Sequence, residues 1–477
     1  MIDRTRRSFL SLLPALPLVG ASLHAAPTQG RLRAGAAKVN ITLPLGANNG
    51  GVILRGGPAT QIHDELHARC LVLDDGATQL AMVICDLRMI SRDLVDRAKE
   101  LAAAALGWPA SHMLVAATHT HAAPGLVNIQ EGEIDRWYAD FVVVRIADAI
   151  RRAAASLVPA RIGWGSVPKP EHVFNRRWKV KSGDAPPDPF GGTTDTVVTN
   201  PAAALNVLEP AGTVDPELSV LSVQHADGRP LAVLANYGLH YVGGYTPGSV
   251  SADYFAVFAD CLERLVGGPE DEAPFIGMLS NGASGDVNNV NRRQAPERSP
   301  PWHKMQTVAE DLAHATARLC RDIQYRDSTT LSVATRALEL AVRQPDEARL
   351  RWARSVVEGI KDRNKMTRPQ VYAAEAIALA GGPERVSVPL QAMRIGELGI
   401  AAIPCEVFAE TGLEIKHGSR LQPTFVIELA NGYNGYLPTP HQHSLGGYET
   451  WPARSAYLEV EAAPKIRDRV LELLAGF

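Results

Sequence analysis

The sequence predicts an α/β fold: a single large domain over residues 31–477, with a mixed β-sheet core flanked by helices and its site at the strand ends. Three observations carry this. A strand, helix, strand order runs from Leu80 to Ala117, and the same grammar returns between Ile400 and Leu429. The chain also has 477 residues, 46% hydrophobic and 21% charged, enough to bury a full core without disulfides.

The elements follow in chain order. Residues 1–26 read as a bacterial twin-arginine export signal: Arg6-Arg7 precede an apolar segment from Leu10 to Val19, broken by Pro14 and Pro17, with cleavage expected near Ala26. A periplasmic or secreted mature chain is the expectation. Ala68 to Leu73 and Leu80 to Cys85 flank Asp74-Asp75-Gly76, which predicts a hairpin of buried strands. Ser91 caps a helix from Leu94 to Leu106 that closes at Gly107, with Pro109 beyond. A strand follows at Met113 to Ala117, then a helix over 134–157. From Ser166 to Thr213 the chain is rich in Pro, Gly and Thr without periodicity, a segment expected to be functional and to line a pocket. Strands are read at Leu218 to Gln224 and Leu231 to Ala235. A helical region runs from Val308 to Ala380, interrupted between Asp327 and Leu340, and a C-terminal helix spans Pro464 to Leu474. No internal repeat stands out in the text.

Charge and cysteine content narrow the function classes. With 48 Lys+Arg against 51 Asp+Glu the net charge is -3, so no basic excess meets nucleic acid, and no apolar run after the N-terminus is long enough to span a membrane. Five scattered cysteines form no Cys-x-x-Cys pair; one or two disulfides stay open, but neither a disulfide framework nor a thiolate metal site is expected.

Four strand ends carry chemistry. In Thr118-His119-Thr120-His121 two imidazoles stand two apart, so on an extended segment they face one side. Imidazole both ligates metals and titrates near neutrality, so the pair suits metal binding or proton transfer, or else two histidines hydrogen-bonded in a loop. His240 lies beyond the apolar run from Leu231 to Ala235, and Glu406 lies at the start of a predicted helix, where the helix dipole alone would favour a carboxylate. Asn431 to Tyr436, with Tyr448-Glu449 beyond, and the turn from Asn281 to Asn289 complete the set.

Together these stretches resemble the catalytic N-terminal domain of the neutral/alkaline, non-lysosomal ceramidase family. The resemblance rests on Gly35 to Thr42, Ile62 to Arg69, Thr118-His119-Thr120-His121 with Pro124-Gly125, the Asn175-Arg176 pair, His240 and the segment from Tyr436 to Glu449. It implies a zinc ion held by His119, His240, Glu406 and Tyr436, with His121, Arg176 and Tyr448 facing substrate. The implied reaction is amide hydrolysis of a small-molecule or lipid-like N-acyl substrate. In it zinc activates water, His121 handles the proton on the leaving nitrogen, and Tyr448 with Arg176 stabilises the oxyanion. The chain departs from the pattern at Asn288-Asn289, where the family shows Ser-Pro, and at Ala122-Ala123, where it shows Ser-Gly. It also lacks the length for the family's immunoglobulin-like C-terminal domain. Two other readings stand beside this one: a metal-dependent hydrolase or lyase acting on an ester, lactone or carbohydrate, and a periplasmic metal- or solute-binding protein without turnover.

Overall fold

The computed structural model describes residues 31–49, 57–127, 135–202, 204–267, 274–294 and 299–477; the segment read as an export signal, residues 1–26, lies outside them. Its strands begin with β1 (Arg33–Asn40), β2 (His67–Asp74) and β3 (Gln79–Cys85), each antiparallel to the one before. The β2–β3 turn forms because Asp74 Oδ1 accepts the Gly76 amide (2.9 Å) while Gly76 takes φ +90°, a conformation that needs no Cβ. Helix α1 (Arg92–Leu106) carries the chain over to β4 (Met113–Ala117), which lies parallel to β3, and α2 (Arg136–Ala155) follows. As expected, α1 ends at Gly107 in the left-handed region (φ +72°), its amide donating to the Ala103 carbonyl; Ser91 precedes it without a side-chain cap bond.

This order occurs three times. In the second unit β5 (Val158–Pro168), β6 (Glu217–His225) and β7 (Pro230–Tyr237) are antiparallel, α3 (Tyr254–Val266) crosses to the parallel strand β8 (Ile276–Asn281), and α4 (His303–Asp322) follows. In the third, β9 (Leu331–Ala341) is followed by the inserted helices α5 (Glu347–Glu358) and α6 (Arg368–Ala380). Then come β10 (Arg385–Ile395), β11 (Leu398–Ile403), α7 (Ala409–Gly418), the parallel strand β12 (Thr424–Glu428), the short α8 (Pro440–Leu445) and α9 (Ala462–Ala475). The first two units join through β1 and β5 into an eight-stranded mixed sheet, while the third forms a four-stranded sheet.

Alternation along the strands builds two kinds of core. On β2, Cys70 and Val72 pack with α1 and α2, whereas Leu71 and Leu73 point the other way. Those inner residues share one cluster with Leu221 and Leu234 of the second unit and Ile400 and Phe425 of the third. Strands buried on both faces need continuous apolar text, as Leu80 to Cys85 shows.

Three expectations are corrected. The interruption after Asp327 is the strand β9, whose helix-favouring Ala, Leu and Glu residues are overridden by eleven paired positions on β10. The stretch after Ser166 is not structureless: β5 continues to Pro168, and short strands form at Phe174–Asn175, Arg177–Lys179 and Val197–Thr199. All five cysteines are free and buried, so no disulfide forms.

Candidate metal and catalytic centre

The chain turns sharply after β4. His119 takes φ +69°, its amide donating to the Leu87 carbonyl, so the His-x-His segment is not the extended strand its spacing predicts. Both imidazoles nonetheless reach one point: the Nε2 atoms of His119 and His121 are 3.2 Å apart. His240, three residues past β7, brings its own Nε2 to 3.0 Å from that of His119. These three histidines form a group able to hold a metal ion, their ligating nitrogens all within 4.8 Å.

Backbone carbonyls fix which nitrogen is free. His119 Nδ1 donates to the Arg88 carbonyl (2.7 Å) and His240 Nδ1 to the Ser284 carbonyl (3.1 Å), and a carbonyl can only accept. In the neutral rings each Nε2 then presents a lone pair, and two lone pairs 3.0 Å apart are not a hydrogen bond; they face a place for a cation. Burial, and then the neighbouring His119 and Arg88 charges, holds the His121 imidazole well below its ordinary value; for His240 the causes are burial, then Arg176.

Glu406 brings the negative charge. It lies on a two-residue strand, Glu406–Val407, paired with Tyr436–Leu437 and placed before α7, not at the helix start. Gly285 allows this approach, because a Cβ there would stand 2.5 Å from the Glu406 carbonyl oxygen. Glu406 Oε1 accepts from the Tyr433 hydroxyl (2.8 Å), while Oε2 is buried without a donor, 3.4 Å from His119 Nε2 and 3.7 Å from His240 Nε2. Burial alone would raise the Glu406 carboxyl, but His119, Arg176 and the Tyr436 hydroxyl outweigh it and hold it below its ordinary range. Imidazole nitrogens and a carboxylate with one bare buried oxygen are a donor set that fits a divalent cation such as zinc.

A second layer completes the site. Arg176 Nη2 donates to the Gly285 carbonyl (2.6 Å) and the Tyr436 hydroxyl (3.2 Å), and that hydroxyl lies 3.1 Å from the Tyr448 hydroxyl. Glu449 anchors this corner: Oε1 faces Arg176 Nε at 3.4 Å, and Oε2 pairs with the fully buried Arg177 at 2.6 Å. Burial raises the Tyr436 and Tyr448 phenols, so both hydroxyls keep their protons in the absence of a cation.

All seven sequence-derived candidates, His119, His121, Arg176, His240, Glu406, Tyr436 and Tyr448, thus belong to one connected cluster. Sequence reasoning missed Arg88, whose carbonyl orients His119 and whose Nη2 holds the His121 carbonyl (2.9 Å), and Tyr241, whose ring stacks on His121 at 3.8 Å. A signal existed for both: Arg88 closes a charged strand end after Asp86, and Tyr241 adjoins His240.

No family model matches the chain, and no curated protein does. Solved structures do. The crystal structure of neutral ceramidase from Pseudomonas aeruginosa aligns with a TM-score of 0.69 at 18% identity, covering 94% of this chain and 75% of that one. A ceramidase complexed with C2 aligns at 0.67 with the same identity and coverage. With its mixed sheet and flanking helices, the chain has a neutral ceramidase-like fold.

Proposed function

We propose that this chain is an exported, zinc-dependent hydrolase that cleaves the amide bond of an N-acylated substrate. The observation that carries the reading is the convergence of two tautomer-fixed Nε2 lone pairs and the bare Glu406 Oε2 on one buried point. His119, His240, Glu406 and Tyr436 would hold the ion, and the ceramidases of like fold support amide as the bond class. A zinc ion held there would supply Lewis-acid polarisation of a carbonyl and would lower the pKa of water towards about 7.

The surrounding residues account for the rest. The His121 imidazole, kept neutral by burial and without a carbonyl partner like those that hold Nδ1 of His119 and His240, would take the proton lost by the attacking water and pass it to the leaving nitrogen. The Tyr448 hydroxyl, protonated and beside the cationic Arg176, donates to the developing oxyanion. Glu449 keeps Arg176 turned into the site. A storage or solute-binding protein needs no such layer of donors beyond the ligands.

Release of free amine from a panel of N-acyl compounds, with and without a chelator, tests the reading. Chelator-sensitive release is the result it requires; cleavage of esters or lactones alone would replace it with the other hydrolase reading. Export is tested separately: changing Arg6 and Arg7 to Lys should leave the precursor in the cytoplasm, and undiminished mature protein in the periplasm would reject the twin-arginine signal.

A further inference from the structure

A cavity of about 280 Å³ opens beside the histidine cluster, with Arg176 and Tyr241 in its wall. Tyr241 lies flat on His121, the residue assigned to the leaving nitrogen, at 3.8 Å and 18° between planes. On the amidase reading, the amine arm of a bound amide would extend into this cavity. Its volume falls just below the roughly 300–1,000 Å³ of pockets that enclose drug-sized ligands, so it suits a short group.

Its lining is mixed: Trp178, Pro201, Val242 and Val290 stand beside a set of polar side chains that can recognise an anion. Asn288 and Asn289, the pair at which the chain departs from the resemblance, line it together with Asn200. These carboxamides are held in place: Asn288 Nδ2 donates to Asn200 Oδ1 (2.6 Å), and Asn289 Nδ2 to the Val242 carbonyl (2.9 Å). Arg292 adds a positive charge. Its Nη1 donates to the Pro201 carbonyl (2.8 Å), and its Nη2 to the carbonyls of Ala202 (2.6 Å) and Leu205 (3.2 Å). Those bonds tie the wall together and use three of the five donors; the buried Nε has no acceptor among the described residues. Among the described residues no acidic side chain lines the cavity and no carboxylate pairs with Arg292. A guanidinium left in this state is matched by a carboxylate, which accepts charge-assisted hydrogen bonds from it.

We propose that this cavity makes the enzyme selective for N-acyl compounds whose amine arm is short and carries a carboxylate, as in an N-acyl amino acid, with Arg292 as the specificity-determining residue. The proposal rests on the amidase reading. Three substrates sharing one octanoyl group separate the two: N-octanoylglycine, its neutral carboxamide N-octanoylglycinamide, and N-octanoylhexylamine, each given to the metal-loaded enzyme, with ceramide alongside. The carboxylate should exceed the carboxamide by about ten-fold in kcat/KM, the ratio that corresponds to one charge-assisted bond, and the alkylamide should fall lower still. Arg292→Gln should raise KM for N-octanoylglycine by about ten-fold with little change in kcat, and raise it less for the carboxamide, so that the ratio between the two substrates falls. Arg292→Lys, which keeps the charge, should retain part of the preference. Wild-type enzyme that prefers the alkylamide or ceramide overturns the proposal and leaves the amidase reading standing, and this outcome does not depend on any variant folding. A carboxylate preference that survives Arg292→Gln overturns the role of Arg292. No amine release from any of the four removes the amidase reading and the proposal together.

Discussion

The first two units build the centre from the same two strand ends with the parts exchanged. In the first unit the end of the third strand supplies a backbone carbonyl, that of Arg88, and the end of the fourth supplies the imidazole of His119. In the second unit the third strand leads to the imidazole of His240, and the fourth to the carbonyl of Ser284 that orients it. The third unit adds Glu406 after its third strand and Tyr436 after its fourth. Each histidine thus gains its tautomer from the neighbouring strand end of its own unit, while its Nε2 faces the other unit. Shared strand order fixes where ligand-bearing loops emerge; which residue of the loop does chemistry is free to differ.

This comparison is broken most directly by removing one imidazole at a time. His119→Ala and His240→Ala should both lose bound metal and amidase activity, and by more than the roughly 10–100-fold typical of changes to orienting partners. Metal analysis alongside turnover would show it. If one variant kept wild-type metal while the other lost it, the two units would not contribute equivalent ligands.

Glu449 tests the seam between the second and third units. Glu449→Gln leaves Arg177 buried without its counter-charge, and breaking such a pair costs about 3–5 kcal/mol. Denaturant unfolding should show the loss, and an unchanged midpoint would mean that Gln442 and the Gly446 carbonyl already satisfy Arg177.

The two tyrosines sharpen the division between ligand and oxyanion donor within the third unit. Tyr448→Phe should keep the metal and slow turnover by about 10²–10³, or roughly 3–4 kcal/mol, whereas Tyr436→Phe should lose metal. Identical behaviour of the two variants would show that the tyrosines are not divided in this way.

A pH-dependent effect is expected where the first and second units meet at Asp64. Asp64, on the β1–β2 connection, accepts from the Ser251 hydroxyl (2.5 Å) and the Ala252 amide (2.7 Å). Burial pushes its carboxyl up to about 7, with Asp86 and Asp253 adding to the rise. The folded state therefore holds this proton more tightly than the unfolded chain does. Its contribution is most favourable below the ordinary carboxylate value and is lost as pH rises to about 7. Asp64→Asn should flatten the fall in stability across that window; an unchanged pH profile would mean that the two donated hydrogen bonds keep Asp64 ionised throughout.

Much of this architecture was legible in the sequence, and the illegible parts share a cause. The β2–β3 hairpin, α1 with its glycine stop, and the strands before His119 and Glu406 follow from local periodicity and turn chemistry. The strand β9 did not, because its residues favour helix and only pairing with β10 makes it extended. The threefold repetition escaped detection because strand order repeats while residues do not. At the site, the ligand-type side chains could be named from resemblance, but the Arg88 and Ser284 carbonyls could not. A backbone acceptor carries no residue signature; only the meeting of two loops identifies it.

Elemental analysis of the purified chain tests the central claim most directly, set beside the same measurement on His240→Ala. The account predicts one zinc per wild-type chain and loss of zinc in the variant, in parallel with loss of amine release from N-acyl substrates. A wild-type preparation free of metal yet fully active would contradict it.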